Sequence, residues 1–226
     1  MVGLSFSLLH VHVFMRPTRH HRQTIMSRIP SLPDTELPFL SRMFSKDAKN
    51  YHVWSYRQWL VRHFSLWDGE ISFVETLLDE DVRNNSAWNH RWFTVFGKQL
   101  DPSRDSIKSS VSGLMIPATI VDREIEYTQN KIVLAPQNQS SWNYLRGIYR
   151  QSQRSLLDVK DFAGEFASLN EESQVKSSHA LDILAEIYAI EKEEDKAREA
   201  LQLLASRYDP VRKNYWHYRQ QLLAKA

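Results

Sequence analysis

No cysteine occurs in the 226 residues. Neither a disulfide frame nor a thiolate metal site can therefore come from this chain, which fits a reducing compartment. Glycine and proline are sparse, at six and eight, and the long stretches free of both favour helix over a turn-rich β architecture. Charge of one sign is lacking too. The net charge is +2, from 29 basic and 27 acidic residues mixed along the chain, so no global field draws in nucleic acid or anionic lipid. Long apolar runs are also missing. The stretch up to Met15 holds Leu8, Leu9, Val11 and Val13, but His10 and His12 interrupt it and the first arginine is Arg16. A secretory signal needs an early positive charge and a small-residue cleavage site, and a membrane span needs about 20 apolar residues. Neither is expected. The patterns GxGxxG, GxxxxGKS/T and HExxH do not occur, and the pairs His10/His12 and His20/His21 lack the helical spacing of a zinc hydrolase. Dinucleotide, P-loop and metallohydrolase chemistry have no support.

What the chain does contain is a recurring aromatic signature. A tryptophan is followed three residues later by an arginine, with a ring just before that arginine: Trp54/Tyr56/Arg57, Trp88/His90/Arg91 and Trp216/Tyr218/Arg219. Trp142/Tyr144 is a looser copy, with Leu145 at the arginine position and Arg146 one step later. Trp54 and Trp88 are 34 residues apart, a period that marks stacked helical hairpins. The expected fold is all-α, a right-handed superhelical array of antiparallel helical hairpins of the TPR-like solenoid kind. Each buried indole removes roughly 150–250 Å² from water, worth at most about 4–6 kcal/mol at 25 cal/mol per Å². The arginine fork can satisfy loop carbonyls or a carboxylate of the adjacent unit.

Each clear repeat opens on an asparagine that can cap a helix: Asn50, Asn84 and Asn138. After Asp68 and Gly69, the stripe Glu70, Ile71, Phe73, Val74, Leu77 and Leu78 predicts a second helix. Gly97 to Thr119, rich in Ser, Gly, Pro and Asp, reads as an inserted loop. The pattern resumes from Val121 to Leu134 and loosens after Arg150, with helical stretches at Leu156–Leu169, His179–Ile190 and Asp195–Tyr208. The cluster Glu191, Glu193, Glu194, Asp195 beside Lys192, Lys196 and Arg198 reads as the solvated start of a helix.

These repeats, KNYHVWSYRQWLVRHF, NNSAWNHRWF, NQSSWNYLRGIYR and KNYWHYRQQLL, resemble those of the prenyltransferase α-subunit family. The connecting text from Phe64 to Phe93 is most similar to the α subunit shared by protein farnesyltransferase and type I geranylgeranyltransferase. The resemblance covers about His20 to Ala226, so residues 1–18 read as a non-family segment and 19–226 as the repeat domain. It implies a cytoplasmic α subunit that pairs with a β subunit. That partner holds zinc, with or without magnesium, and the isoprenoid pocket; no cofactor is expected in this chain. The implied reaction transfers a farnesyl or geranylgeranyl group from its diphosphate to the cysteine of a CaaX-terminated protein.

The resemblance also assigns Lys49, Asn50, Tyr51 and His52 to a loop that meets the isoprenoid diphosphate, with Tyr51 and His52 foremost, then Asn50, then Lys49. A purely structural reading stands beside it, in which Asn50 caps the helix and Tyr51 packs in the array. The anchors of the repeats are Trp54, Arg57, Trp88, Arg91, Trp142, Trp216 and Arg219. In the family, the preceding repeat carries a catalytic lysine. Here His20, His21, Arg22 and Gln23 match that repeat's tail, Arg19 falls at its tryptophan, and counting back puts Phe14 at the lysine, Arg16 at the tyrosine and Pro17 at the glutamine. The implied catalytic lysine is absent, Pro17 is expected to break a continuing helix, and upstream repeats are expected to be missing. Two alternatives remain open: a non-catalytic TPR-like scaffold, and the α subunit of Rab geranylgeranyltransferase.

Overall fold

A computed structural model describes residues 16–97, 116–169 and 175–223. These form two compact units that divide at Leu114/Met115, and among the described residues every regular element is helical.

The first unit runs α1 (Arg16–Met26), α2 (Glu36–Lys46), α3 (Tyr51–His63), α4 (Glu70–Glu80) and α5 (Asn85–Trp92), the last extended by a wider π turn at Phe93–Gly97. α2 packs on α3 and α4 on α5, and α3 also meets α1 and α5. Helix, turn, helix is thus the repeating unit, as the periodicity predicts. Pro17 does not interrupt α1, because it lies in the first turn, where its missing N–H has no partner to lose. The α1 helix already begins at Arg16, ahead of the 18/19 boundary read from the sequence. Phe14 lies outside the described residues, as does most of the expected loop at 97–119.

Each second helix starts through the same local device. The Asn50 carboxamide oxygen accepts from the backbone N–H of His52 and Val53, that of Asn84 from Ser86 and Ala87, and that of Asn138 from Ser140. These bonds occupy N–H groups that a helix start otherwise leaves unpaired. The tryptophan one turn on then locks the turn before the cap. Trp54 donates its indole N–H to Ala48 O, Trp88 to Val82 O and Trp142 to Pro136 O, each at 2.8 Å. Trp216 reaches Asp209, at 3.2 Å to its carbonyl and 2.9 Å to its carboxylate. All four indoles are at most 5% exposed, so the polar N–H enters the interior already satisfied.

The second unit runs α6 (Ala118–Leu134), α7 (Gln139–Ser152), a 3₁₀ turn (Leu156–Val159), α8 (Lys160–Gly164), α9 (Ser178–Ile190), α10 (Glu194–Leu203) with a π turn at Leu204–Tyr208, a 3₁₀ turn (Pro210–Arg212) and α11 (Lys213–Leu223). Its core gathers Trp142, Leu145, Ile183, Leu184, Leu201 and Trp216. The loss of periodicity after Arg150 has a specific origin. Ser177 caps α9 with its hydroxyl, accepting from Ala180 N, in the place that asparagine holds elsewhere, and fully buried Leu181 stands where the tryptophan would. α9 is a signature helix without the signature residues.

Candidate functional site

The signature residues and the turn residues do different things. A buried carboxylate lies at the centre of each clear repeat. Glu70, 4% exposed, accepts both forks of Arg57, Nε at 2.9 Å and Nη2 at 2.6 Å, and contacts His90 Nε2 at 2.7 Å. Arg57 thus comes from the preceding hairpin and His90 from Glu70's own. Glu36 repeats the arrangement with Arg22 (2.7 and 2.6 Å) and the Tyr56 hydroxyl (2.7 Å). Glu124 accepts from the Tyr144 hydroxyl at 2.7 Å and from Arg123 at 3.0 and 3.1 Å. Arg22, in the His20–Gln23 stretch, therefore makes with Glu36 the same fork that Arg57 makes with Glu70.

Burial by itself raises the Glu70 carboxyl, but hydrogen bonds from His90 and Arg57, with the charge of Arg57, outweigh it and hold the group below the usual range. His90 is lowered, chiefly by burial, so its neutral form donates from Nε2 and leaves Nδ1 without a partner. Trp54 and Phe93 lie 5.0 and 5.3 Å from the His90 ring, and the Arg57 guanidinium stacks 3.5 Å from the Phe73 ring. Tyr56 is raised, first by burial and then by its bond to Glu36.

These acids were not singled out in the sequence, although a regular signal exists. Glu36 and Tyr56, Glu70 and His90, and Glu124 and Tyr144 are each separated by 20 residues. The arginine fork does take a carboxylate of the adjacent unit, one of the two roles its chemistry allowed. Arg91, 1% exposed, contacts Glu75 at 3.0 Å. In the looser copy, Leu145 is fully buried and Arg146 turns to Asp182 at 3.0 Å. Arg219 bonds the same Asp182.

The turn before α3 presents a different chemistry. Asn50 is occupied in capping, as its structural reading held. Lys49 is exposed and pairs with Asp81 at 3.0 Å, and that bond from Lys49 lowers the Asp81 carboxyl. Tyr51 does not pack in the array: it is 73% exposed, its ring set edge-on to His52 at 5.6 Å. His52 Nδ1 is shielded from solvent and has no hydrogen-bond partner. A phenol, an imidazole and a cation therefore lie within the four residues 49–52 at the N-terminal end of a helix, where the backbone dipole also favours an anion.

Comparison with known proteins bears on the hairpins. The protein prenyltransferase alpha subunit repeat matches residues 33–64, 67–97 and 121–152, which are the three hairpins built around Glu36, Glu70 and Glu124. The chain is 41% identical over 207 residues to a protein farnesyltransferase/geranylgeranyltransferase type-1 subunit alpha from Candida albicans, covering 88% of this chain and 63% of that relative. The counterpart from Dictyostelium discoideum is 33% identical over 116 residues, 49% of this chain and 35% of the relative. A geranylgeranyl transferase type-2 subunit alpha from Mus musculus is 29% identical over 154 residues, 67% of this chain and 26% of the relative. The chain thus spans less than two thirds of the length of these curated relatives. Candida albicans protein geranylgeranyltransferase-I complexed with GGPP superposes with a TM-score of 0.77 at 36% identity, over 94% of this chain and 67% of that one. With its hairpins, its capped tryptophan helices and this backbone agreement, the chain belongs to the protein prenyltransferase α-subunit repeat family.

Proposed function

We propose that the chain acts as the α subunit of a heterodimeric CaaX protein prenyltransferase. Its Lys49–His52 turn contacts the diphosphate of a farnesyl or geranylgeranyl donor held by the β subunit. One observation supports the turn above all: the Tyr51 ring stands 73% exposed at the helix start, open to a ligand, beside the His52 imidazole. As the C–O bond to diphosphate breaks, negative charge grows on the leaving group, and donors already fixed in place lower the barrier. Tyr51 can donate from its hydroxyl and His52 from its imidazole. Lys49 adds charge after exchanging Asp81 for the ligand. In this reading zinc belongs to the β subunit. Among the described residues no group of three His, Asp or Glu side chains is placed to hold a metal.

The CaaX type is preferred to the Rab type because the type-1 relatives from Candida albicans and Dictyostelium discoideum are 41% and 33% identical, against 29% for the type-2 mouse subunit. Co-expression with a type-1 β subunit tests the reading. The two chains should co-purify, the complex should bind prenyl diphosphate, and the double variant Tyr51→Phe/His52→Ala should raise the Kd for that ligand by roughly ten- to a hundredfold, as expected for lost bonds to a charged group. Failure to co-purify would remove the subunit assignment and favour a free-standing scaffold. Unchanged Kd in a stable complex would remove the turn from the ligand site.

A further inference from the structure

The second unit contains a polar cleft of about 300 Å³, at the lower end of the range for small-ligand sites. The first turns of α7, α9 and α11 converge on it. Because Ser177 occupies the capping place of α9, His179 holds in that helix the position that His52 holds in α3.

Two kinds of group line it. On one side Gln139 and Asn143, one helical turn apart on α7, face the cleft with Ser178 and His179 of α9. None of these four side chains has a hydrogen-bond partner within the described chain. On the other side are the cations. Asp182 accepts from Arg146 and from Arg219 and so occupies both. Arg146 Nε also lies 3.2 Å from Glu186 Oε2, without the alignment of a hydrogen bond. Arg212 differs. Its Nε lies 2.5 Å from Asp209 and its guanidinium 5.5 Å from the Trp216 ring, and the side chain is 44% exposed where it lines the cleft. Its charge reaches the cleft: burial is the main cause that lowers His179, and Arg212 is the next.

We infer that this cleft binds an acidic peptide segment, with one carboxylate on Arg212 and the peptide backbone on the Gln139 and Asn143 carboxamides. A carboxamide both donates and accepts, as a peptide backbone requires, and the exposed Tyr215 ring supplies an apolar wall. A single guanidinium open to the cleft matches a monoanion. A multivalent phosphate is disfavoured, because the carboxylates of Asp182 and Asp209 already face the cations it would need. This inference does not rest on the role assigned to the Lys49–His52 turn.

The cleft carries its own reporter. The Trp216 indole N–H and Arg212 Nε share the Asp209 carboxylate, so occupancy of Arg212 should move the Trp216 indole resonance. The full chain, labelled with ¹⁵N, would be titrated with the tripeptides acetyl-Gly-Asp-Gly-amide and acetyl-Gly-Asn-Gly-amide and with inorganic pyrophosphate. The inference expects a saturable shift of Trp216 with the Asp peptide and at least tenfold weaker binding of the Asn peptide. It also expects at least tenfold loss in Arg212→Ala and in Asn143→Ala. No shift with the Asp peptide, equal binding of the two peptides, or full binding by folded Arg212→Ala would overturn it. Pyrophosphate that moves Trp216 at lower concentration than the Asp peptide would overturn the choice of ligand.

Discussion

The hairpins around Glu70 and the helices around Asp182 use the same arginine signature on opposite plans. In the first unit the acid stands on the first helix of a hairpin and is sealed. Side-chain exposure is 7% for Arg57 and 5% for Glu70, and His90 closes the remaining side. Around Asp182 the acid stands on α9 instead and receives Arg146 from α7 and Arg219 from α11, with 18% and 14% exposure at the Arg146–Asp182 pair. The cause can be traced. Twenty residues before Tyr218, where a glutamate would be required, the chain has Arg198. Tyr218 accordingly lies 56% exposed instead of buried on a carboxylate, and Arg219 turns to Asp182. A ring with its carboxylate 20 residues earlier is therefore drawn inside, and one without it stays at the surface.

That contrast can be broken most strongly at the acid. Glu70→Ala strands a buried guanidinium and should cost about 3–5 kcal/mol; Asp182→Ala frees two arginines that can reach water and should cost only about 1–2 kcal/mol. Urea unfolding of the two variants compares them directly. The ring position comes next. Tyr56→Phe and Tyr144→Phe each remove a donor to a buried carboxylate and should cost about 1.5–3 kcal/mol, whereas Tyr218→Phe should stay within about 0.5 kcal/mol.

Acid titration separates the regions further. His90 is lowered in the folded state, so between its folded value and the unfolded value near 6.5 the unfolded chain binds more protons. Stability from this group is complete above pH 6.5 and declines as pH falls through that window. His90→Gln should flatten this part of the pH–stability curve. Glu70 is lowered as well. Its contribution is complete above the unfolded value near 4.5 and is lost as pH falls through the folded value, so Glu70→Gln should flatten the more acidic part. The smallest effect is expected at Lys49→Ala, where the exposed pair with Asp81 contributes less than about 0.5 kcal/mol.

Much of the fold was legible in the sequence because its anchors act locally. An asparagine that caps a helix and an indole that reaches back to a carbonyl six residues earlier require a fixed spacing, and fixed spacing is visible in a single chain. The helix of α9 was legible at His179–Ile190, but its place in the repeat was not, because Ser177 and Leu181 perform the same tasks with commoner residues. The buried acids were overlooked for another reason. Glu70 was read as one member of an apolar stripe, and nothing local distinguishes a sealed glutamate from one facing water. Only the partner 20 residues on reveals it. At the candidate site, composition showed that the turn holds a cation, an amide, a phenol and an imidazole. Which of them are already occupied depended on Asp81, outside the turn, and on the helix start itself.

The claim most open to direct test is that a sealed carboxylate couples consecutive hairpins in the first unit. A double-mutant cycle on Arg57→Met and Glu70→Gln, read by urea unfolding beside the same cycle on Arg146→Met and Asp182→Asn, measures that coupling. The account predicts about 2–3 kcal/mol for the first pair and less than about 1 kcal/mol for the second. Equal couplings, or additive effects at Arg57 and Glu70, would contradict it.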